Sequence, residues 1–328
     1  MGWLFWKAGK VVSRCGLLTA GLVAAGFAGL IGEACMASAT EKQKEVVVLP
    51  PAKLPQYEVG TKYIYSDGSW ERVDRKGQGW ITWVNRQGNT YTSSVDFTYK
   101  PFRWQTKTRR GSRTFQHVKY LFDSQITTLW PLTPGNKTHF EEKGVWAGQQ
   151  QGSRQYEAYW RCRVEGTERI EVAAGVFDTW KVTCSRYPRV SSYPSTKARE
   201  YKSWYYAPSI GHWVKVVNDN NGFRPNTQRE LVAVLPDLMQ LTGDRKSLLQ
   251  IQQQFQDVLE KNRSGQADLW MGTSTAYSAS LTPVATFRRQ GGTICRQYTQ
   301  QIRGNTGLKN FAGIACRNQE GVWQVPRQ

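Results

Sequence analysis

From Tyr57 onward, apolar and polar positions alternate in short runs separated by turn residues. Lys62-Tyr63-Ile64-Tyr65 leads through Ser66-Asp67-Gly68-Ser69 to Trp70-Glu71-Arg72-Val73. Gly79 to Val84 and Thr90 to Val95 flank a turn at Asn85-Arg86-Gln87-Gly88-Asn89. Turn signals recurring every 8–12 residues or so predict an antiparallel β meander. Leu129 to Gly135, with Pro131 and Pro134, reads as a rigid corner. In Tyr159–Val164 the residues Trp160, Cys162 and Val164 share one strand face; in Trp180–Cys184 the same holds for Trp180, Val182 and Cys184. Ile170-Glu171-Val172, the turn Ala173-Ala174-Gly175, Trp204-Tyr205-Tyr206, the turn Ala207 to Gly211, and Trp213 to Val216 continue the series. Leu231 to Leu235 is its last strand.

The period then changes. Over Asp244 to Asn262, Leu248, Ile251, Phe255, Val258 and Leu259 recur at helical spacing, with Asp244 as a cap and Arg263-Ser264-Gly265 as a stop. This stripe predicts one amphipathic helix packed against a core. β-type patterning resumes to the C-terminus. Gln290–Tyr298 and Gly313–Val325 read as paired strands joined by a polar segment with Arg303, Gly304, Asn305 and Gly307. The pattern therefore predicts a mainly β protein divided into residues 1–39, a linker over 40–56, a β-rich domain over 57–236, a bridging helix within 237–264, and a small β domain over 265–328.

The N-terminus adds a targeting expectation. Met1–Arg14 carries Lys7, Lys10 and Arg14 and no acid, Cys15–Ile31 is an apolar run, and Ala37-Ser38-Ala39 offers small residues for cleavage. That layout predicts a secretory signal peptide. An uncleaved anchor, a lipoprotein acceptor at Cys35 and a buried helix are the alternatives, so membrane association through this segment stays open. Cleavage would leave Cys162, Cys184, Cys295 and Cys316. Four cysteines allow three pairings. Neighbour pairing, Cys162–Cys184 and Cys295–Cys316, closes two loops of similar size, each inside a candidate hairpin, as in exported disulfide proteins. None of the four has zinc-ligand spacing.

Composition fits this scheme, with 14 Trp, 15 Tyr and 12 Phe beside 3 His. The formal charge is +19, or about +17 once residues 1–39, with their three cations and Glu33, are removed. Such a balance favours polyanionic partners. Tyr99 to Arg113 concentrates it: Lys100, Arg103, Lys107, Arg109, Arg110 and Arg113 interleave with Tyr99, Phe102 and Trp104. Arginine beside aromatic rings suits anionic polymers and sugars alike. Lys100, Arg103, Trp104, Lys107, Arg109, Arg110 and Arg113 are thus the candidate polyanion-binding residues. Arg186, Arg189, Lys197, Arg199 and Lys202 form a second basic group. No helix-turn-helix, RRM or KH signature points to nucleic acid. Lipopolysaccharide or peptidoglycan-linked polymers are the expected anions.

Two stretches carry resemblances. Gly166–Val182 (GTERIEVAAGVFDTWKV) followed by Trp204–Lys215 (WYYAPSIGHWVK) resembles β-rich exported bacterial proteins of uncharacterised function, which implies a curved antiparallel sheet. Ser264-Gly265-Gln266, Trp270, Thr282-Pro283, Gly292-x-x-Cys295-Arg296-x-Tyr298, Ala315-Cys316-Arg317 and Gly321-x-Trp323 together resemble the C-terminal domain of 17-kDa-type bacterial outer-membrane surface antigens. Gln297 stands where that family has an acid, and Glu320 where it has Asp. The family's lipoprotein signal and glycine zipper have no counterpart; the β-rich segment takes their place. The resemblance implies an envelope protein.

No catalytic pattern emerges. His117, His139 and His212 lie in strand or corner contexts and read as surface or packing residues. Nucleophile-elbow, zincin and phosphate-loop motifs do not occur. Asp96, Asp123, Glu141, Glu142, Glu165, Glu168, Glu171 and Asp178 are scattered, and Glu141-Glu142 beside Lys143 reads as solvated. The expectation is a non-enzymatic envelope protein without cofactor or metal. Its alternatives are a carrier of a lipid or other apolar ligand on the curved sheet and, third, an envelope hydrolase.

Overall fold

The computed structural model describes residues 47–326 except 100, 109–110, 120–128, 148–153, 191–192, 273–276 and 305–306; side chains over 107–128, 144–156 and 190–194 are not described. Residues 1–39, expected to be a signal peptide, lie outside these residues. Nine strands follow one another: β1 (Lys62–Tyr65), β2 (Trp70–Gly77), β3 (Trp80–Asn85), β4 (Thr90–Ser94), β5 (Arg103–Thr108), β6 (Gly111–Lys119), β7 (Lys137–Ala147), β8 (Arg154–Val172) and β9 (Gly175–Val190). Each pairs antiparallel with the next. After the short β10 (Tyr193–Pro194), β9 also pairs with β11 (Glu200–Ala207), β11 with β12 (His212–Asp219), and β12 with β13 (Thr227–Leu235).

β13 in turn pairs with β1. The join is staggered. β12 lies along Thr227–Glu230, whereas β1 lies along Leu231–Leu235, so the curved sheet is not closed as a flush barrel. Aromatic residues fill its inner face, among them Tyr57, Tyr65, Trp83, Trp160, Trp180 and Trp204, all buried. The alternation read from sequence holds here: Trp160, Cys162, Val164, Trp180, Val182 and Cys184 are all buried.

Tyr159–Val164 and Ile170–Val172 prove to be parts of one 19-residue strand. A register shift between Val164 and Gly166 accommodates the extra residue. Gly166 sits there at φ 143°, a conformation that side chains disfavour.

Two helices follow. α1 (Leu238–Thr242), which the period analysis missed, runs from an Asp237 cap to Gly243 in the left-handed region at φ 72°. At five residues it is too short to show a helical period. α2 (Arg245–Lys261) matches expectation, with Asp244 accepting from the Ser247 amide and Ile251, Val258 and Leu259 buried. β14 (Asp268–Met271), β15 (Ser278–Arg288), β16 (Ile294–Gly304), β17 (Gly307–Arg317) and β18 (Trp323–Gln324) form a sequential antiparallel series. The hairpin strands extend into the segment read as a polar connection. Their alternation persists there: Thr299, Gln301 and Arg303 face outward while Gln300 and Ile302 are buried.

Both disulfides join residues directly opposite across a strand pair, Cys162 to Cys184 and Cys295 to Cys316, each with Cα atoms 4.0 Å apart. The neighbour pairing is therefore the one present.

The C-terminal strands meet the large sheet at β13, where Ala233 pairs with Gly313 of β17. A Cβ on Gly313 would lie 2.7 Å from the Ala233 Cβ and 3.0 Å from the Tyr298 hydroxyl. Gly313→Ala is expected to cost about 1–3 kcal/mol through overpacking at this joint. Urea denaturation checks this, and adding Ala233→Gly should recover part of the loss by removing the opposing Cβ.

Candidate functional site

A cavity of about 430 Å³ opens where four pieces of chain converge. They are the lead-in Lys53–Tyr63, the corner Tyr206–Gly211 between β11 and β12, the end of β13 with α1, and Leu308–Phe311 of β17. Its volume falls in the ordinary range of small-molecule sites. Apolar walls come from Leu54, Val59, Ile210, Leu241 and Phe311, and polar groups from Glu58, Tyr63, Tyr206, Asp237 and Lys309.

Local chemistry explains the placement. Burial alone would raise the Glu58 carboxyl, but hydrogen bonds from Lys309 Nζ and Lys76 Nζ, both at 2.9 Å, hold it below its usual range. This pair of lysines ties the lead-in to β17 and β2. Asp237 can approach because Gly60 faces it: a Cβ there would meet the carboxylate at 2.4 Å. Burial pushes the Tyr206 phenol up to about 12 and raises Tyr63 further.

Behind the cavity lies His212, buried and bonded on both ring nitrogens. The Tyr57 hydroxyl is 3.0 Å from Nδ1 and the Tyr65 hydroxyl 3.0 Å from Nε2. Tyr63 packs on the ring at 4.1 Å, and Tyr65 stacks on Trp213 at 4.7 Å. Arg229 lies 4.1 Å over Tyr65 and reaches Glu71 at 3.2 Å. Burial, with a smaller contribution from Arg229, holds the imidazole pKa well below its ordinary value. His212 is a neutral bridge between two phenols, in agreement with the packing role read from sequence.

Asp96, Glu142 and Glu168 are buried, unlike a solvated set, and the first two share a use. Glu142 is buried on β7 and accepts from the Trp160 indole, whereas its neighbour Glu141 is exposed. Adjacent strand residues face opposite ways, which corrects the reading of Glu141-Glu142 as solvated together. Asp96 is wholly buried. It accepts from the Thr98 amide at 2.9 Å, the Thr98 hydroxyl at 2.7 Å and the Trp130 indole at 2.9 Å, while burial raises its carboxyl pKa. Both carboxylates serve as acceptors for buried indoles.

Of the candidate polyanion residues, Arg103 and Trp104 sit on β5 with exposed side chains. Lys100, Arg109 and Arg110, and the side chains of Lys107 and Arg113, lie outside the described residues. In the second basic group, Arg186 pairs with Glu200 at 2.8 Å and Arg189 with Glu141 and Glu157 at 3.3 Å. Arg199 lies over Phe223 and Lys202 over Trp204.

The Cys-Arg repeats have a structural use. Arg296 donates to the Leu259 carbonyl at 2.6 Å, near the C-terminal end of α2, where backbone acceptors lack helical partners. Arg317 and the Trp323 indole both donate to Glu260 at 2.9 Å. Gln256 bonds the Trp323 backbone at 2.8 Å on both its N–H and its carbonyl. On the opposite face, Cys295, Ile314 and Cys316 pack against Ala173 and Phe287. Gln297, where the family resemblance has an acid, donates to the Ala173 carbonyl at 3.0 Å, a bond an ionised acid could not make.

The fold thus defines a large curved antiparallel β protein bearing a disulfide-stapled hairpin clasped by a helix. Residues 257–324 match the family described as the 17 kDa outer membrane surface antigen. The 17 kDa surface antigens of Rickettsia felis and Rickettsia prowazekii are each 34% identical over 70 residues, which cover 21% of this chain and 44% of theirs. The chain therefore spans less than half the length of the curated relatives it matches. Among solved structures, the hypothetical lipoprotein YmcC from Escherichia coli aligns over 54% of this chain and 84% of its own, at 9% identity and a TM-score of 0.36. A protein with a YmcC-like fold from Bacteroides fragilis aligns over 56% of this chain and 100% of its own, at 13% identity and a TM-score of 0.26.

Two outcomes test these assignments. A histidine whose folded pKa is depressed contributes stability that is present above about pH 6.5 and lost as pH falls, because the unfolded chain takes up the proton first. The melting temperature is expected to drop between pH 7.5 and 5.5, and to drop less in His212→Gln. Arg296→Ala strands the Leu259 carbonyl and should cost about 1–3 kcal/mol in denaturant titration.

Proposed function

We propose that the chain is an exported cell-envelope protein, periplasmic or outer-membrane associated, that acts by binding or scaffolding rather than by catalysis. The observation that carries this reading is the match of residues 257–324 to an outer-membrane surface antigen family, in a segment held by a buried disulfide. A second buried disulfide in the large sheet adds to it, since such bonds persist in oxidising compartments. The excess of basic residues suits an anionic envelope polymer. Lys100, Arg103, Trp104, Lys107, Arg109, Arg110 and Arg113 are the residues proposed to meet it. A carrier of a small ligand is the second reading, favoured by the 430 Å³ cavity beside α1.

A C-terminal alkaline phosphatase fusion should be active, as export requires. Non-reducing peptide mapping should recover the 162–184 and 295–316 linkages. Cytoplasmic retention, or four free thiols in protein isolated from cells, overturns the proposal. Replacing Cys295 and Cys316 together by serine should cost about 2–4 kcal/mol.

A further inference from the structure

We propose that the cavity beside α1 is a saccharide site, taking a mono- or disaccharide unit; this rests on the binding role proposed above and names its ligand class. Two phenols carry the argument. Tyr63 and Tyr206 are only 4% and 3% exposed, and both line the cavity. Among the described residues neither hydroxyl has a protein hydrogen-bond partner, although each reaches the cavity's free space. The contrast within the same cluster is sharp: the buried hydroxyls of Tyr57 and Tyr65 are both bonded to His212. Two hydroxyls that open on one cavity and hydrogen-bond no protein group are available to the polar atoms of a ligand there.

The remaining lining selects the chemistry. Asp237 accepts from the Gln240 amide through one carboxylate oxygen, leaving the other for a donor. A ligand here must therefore bring hydrogen-bond donors for a carboxylate as well as partners for two phenols, which can both donate and accept. Sugar hydroxyls supply both roles, and the C–H faces of a pyranose ring suit Leu241 and Phe311. A fatty acid, ionised at neutral pH, could meet Lys53 in the same lining but brings no donor for Asp237.

The experiment is isothermal titration of the purified, disulfide-intact chain with N-acetylglucosamine, glucuronic acid and decanoate, in wild type and in Tyr63→Phe/Tyr206→Phe. The double variant removes two oxygens that hydrogen-bond no other protein group, so its melting temperature should match wild type. Binding of at least one sugar by wild type, weakened about tenfold by the variant as expected for two modest hydrogen bonds, supports the site. No sugar binding, decanoate binding alone, or sugar binding that the variant leaves unchanged overturns it. Because the titration uses purified protein, it is independent of the export test, and failure of one is distinguishable from failure of the other.

Discussion

The alternation of backbone groups along β13 is the constraint that the rest of the structure depends on. Successive residues of a strand present their N–H and C=O groups to opposite edges. Glu230 turns its carbonyl to the Ser66 amide on the β1 side at 2.9 Å. Leu231 turns its carbonyl the other way, to the Ala174 amide at 3.0 Å. On that second edge β12, the β8–β9 turn and Gly313 of β17 are met in succession. One nine-residue strand thus carries the join of the curved sheet, the tip of its longest hairpin and the C-terminal segment. Leu231, Val232, Ala233 and Val234 are at most 2% exposed. Full burial of each larger one is worth roughly 1.5–3 kcal/mol.

That arrangement explains which features were legible in the sequence. Leu-Val-Ala-Val-Leu is an unbroken apolar run, the mark of a strand covered on both faces. Alternation around Cys162 and Cys184 announced their common inward face, and the five-residue stripe of α2 announced its buried side. Local pattern reports a single element's own faces. It does not report what lies across the edge, so the convergence of β12, Ala174 and β17 on β13 left no trace in composition or period. The same holds for α1, too short for periodicity, and for Glu142, whose burial depends on an indole 18 residues away in sequence.

The candidate site was the least legible part. Basic residues announce themselves by count, as they do in the 99–113 stretch. The cavity is instead assembled from residues as distant as Lys53 and Phe311, and its Tyr206–Gly211 wall lies in the Trp204–Lys215 run, whose pattern pointed to a fold and not to a ligand. Its one faint signal was the density of tyrosine around Tyr57, Tyr63 and Tyr65. Only the folded arrangement separates phenols that bond His212 from phenols that hydrogen-bond no protein group.

Position, finally, bears on what the surface-antigen-like segment does in this chain. Arg296, Arg317 and Trp323 are spent on α2, and the disulfide face is covered by the β8–β9 turn. The hairpin is therefore closed on both faces near its disulfide. Its other end, Leu308 to Phe311, remains beside the cavity, with Lys309 fixed to Glu58 of the lead-in and Asn310 to the Ser209 carbonyl of the β11–β12 corner. The segment completes a cavity wall that the large sheet alone does not supply. A ligand held there would touch both parts at once and would strengthen the joint at Gly313 by mass action, since it binds only the assembled form. A ligand site at this wall would serve cohesion as well, so the proposed scaffold role and the proposed ligand site are not rival readings.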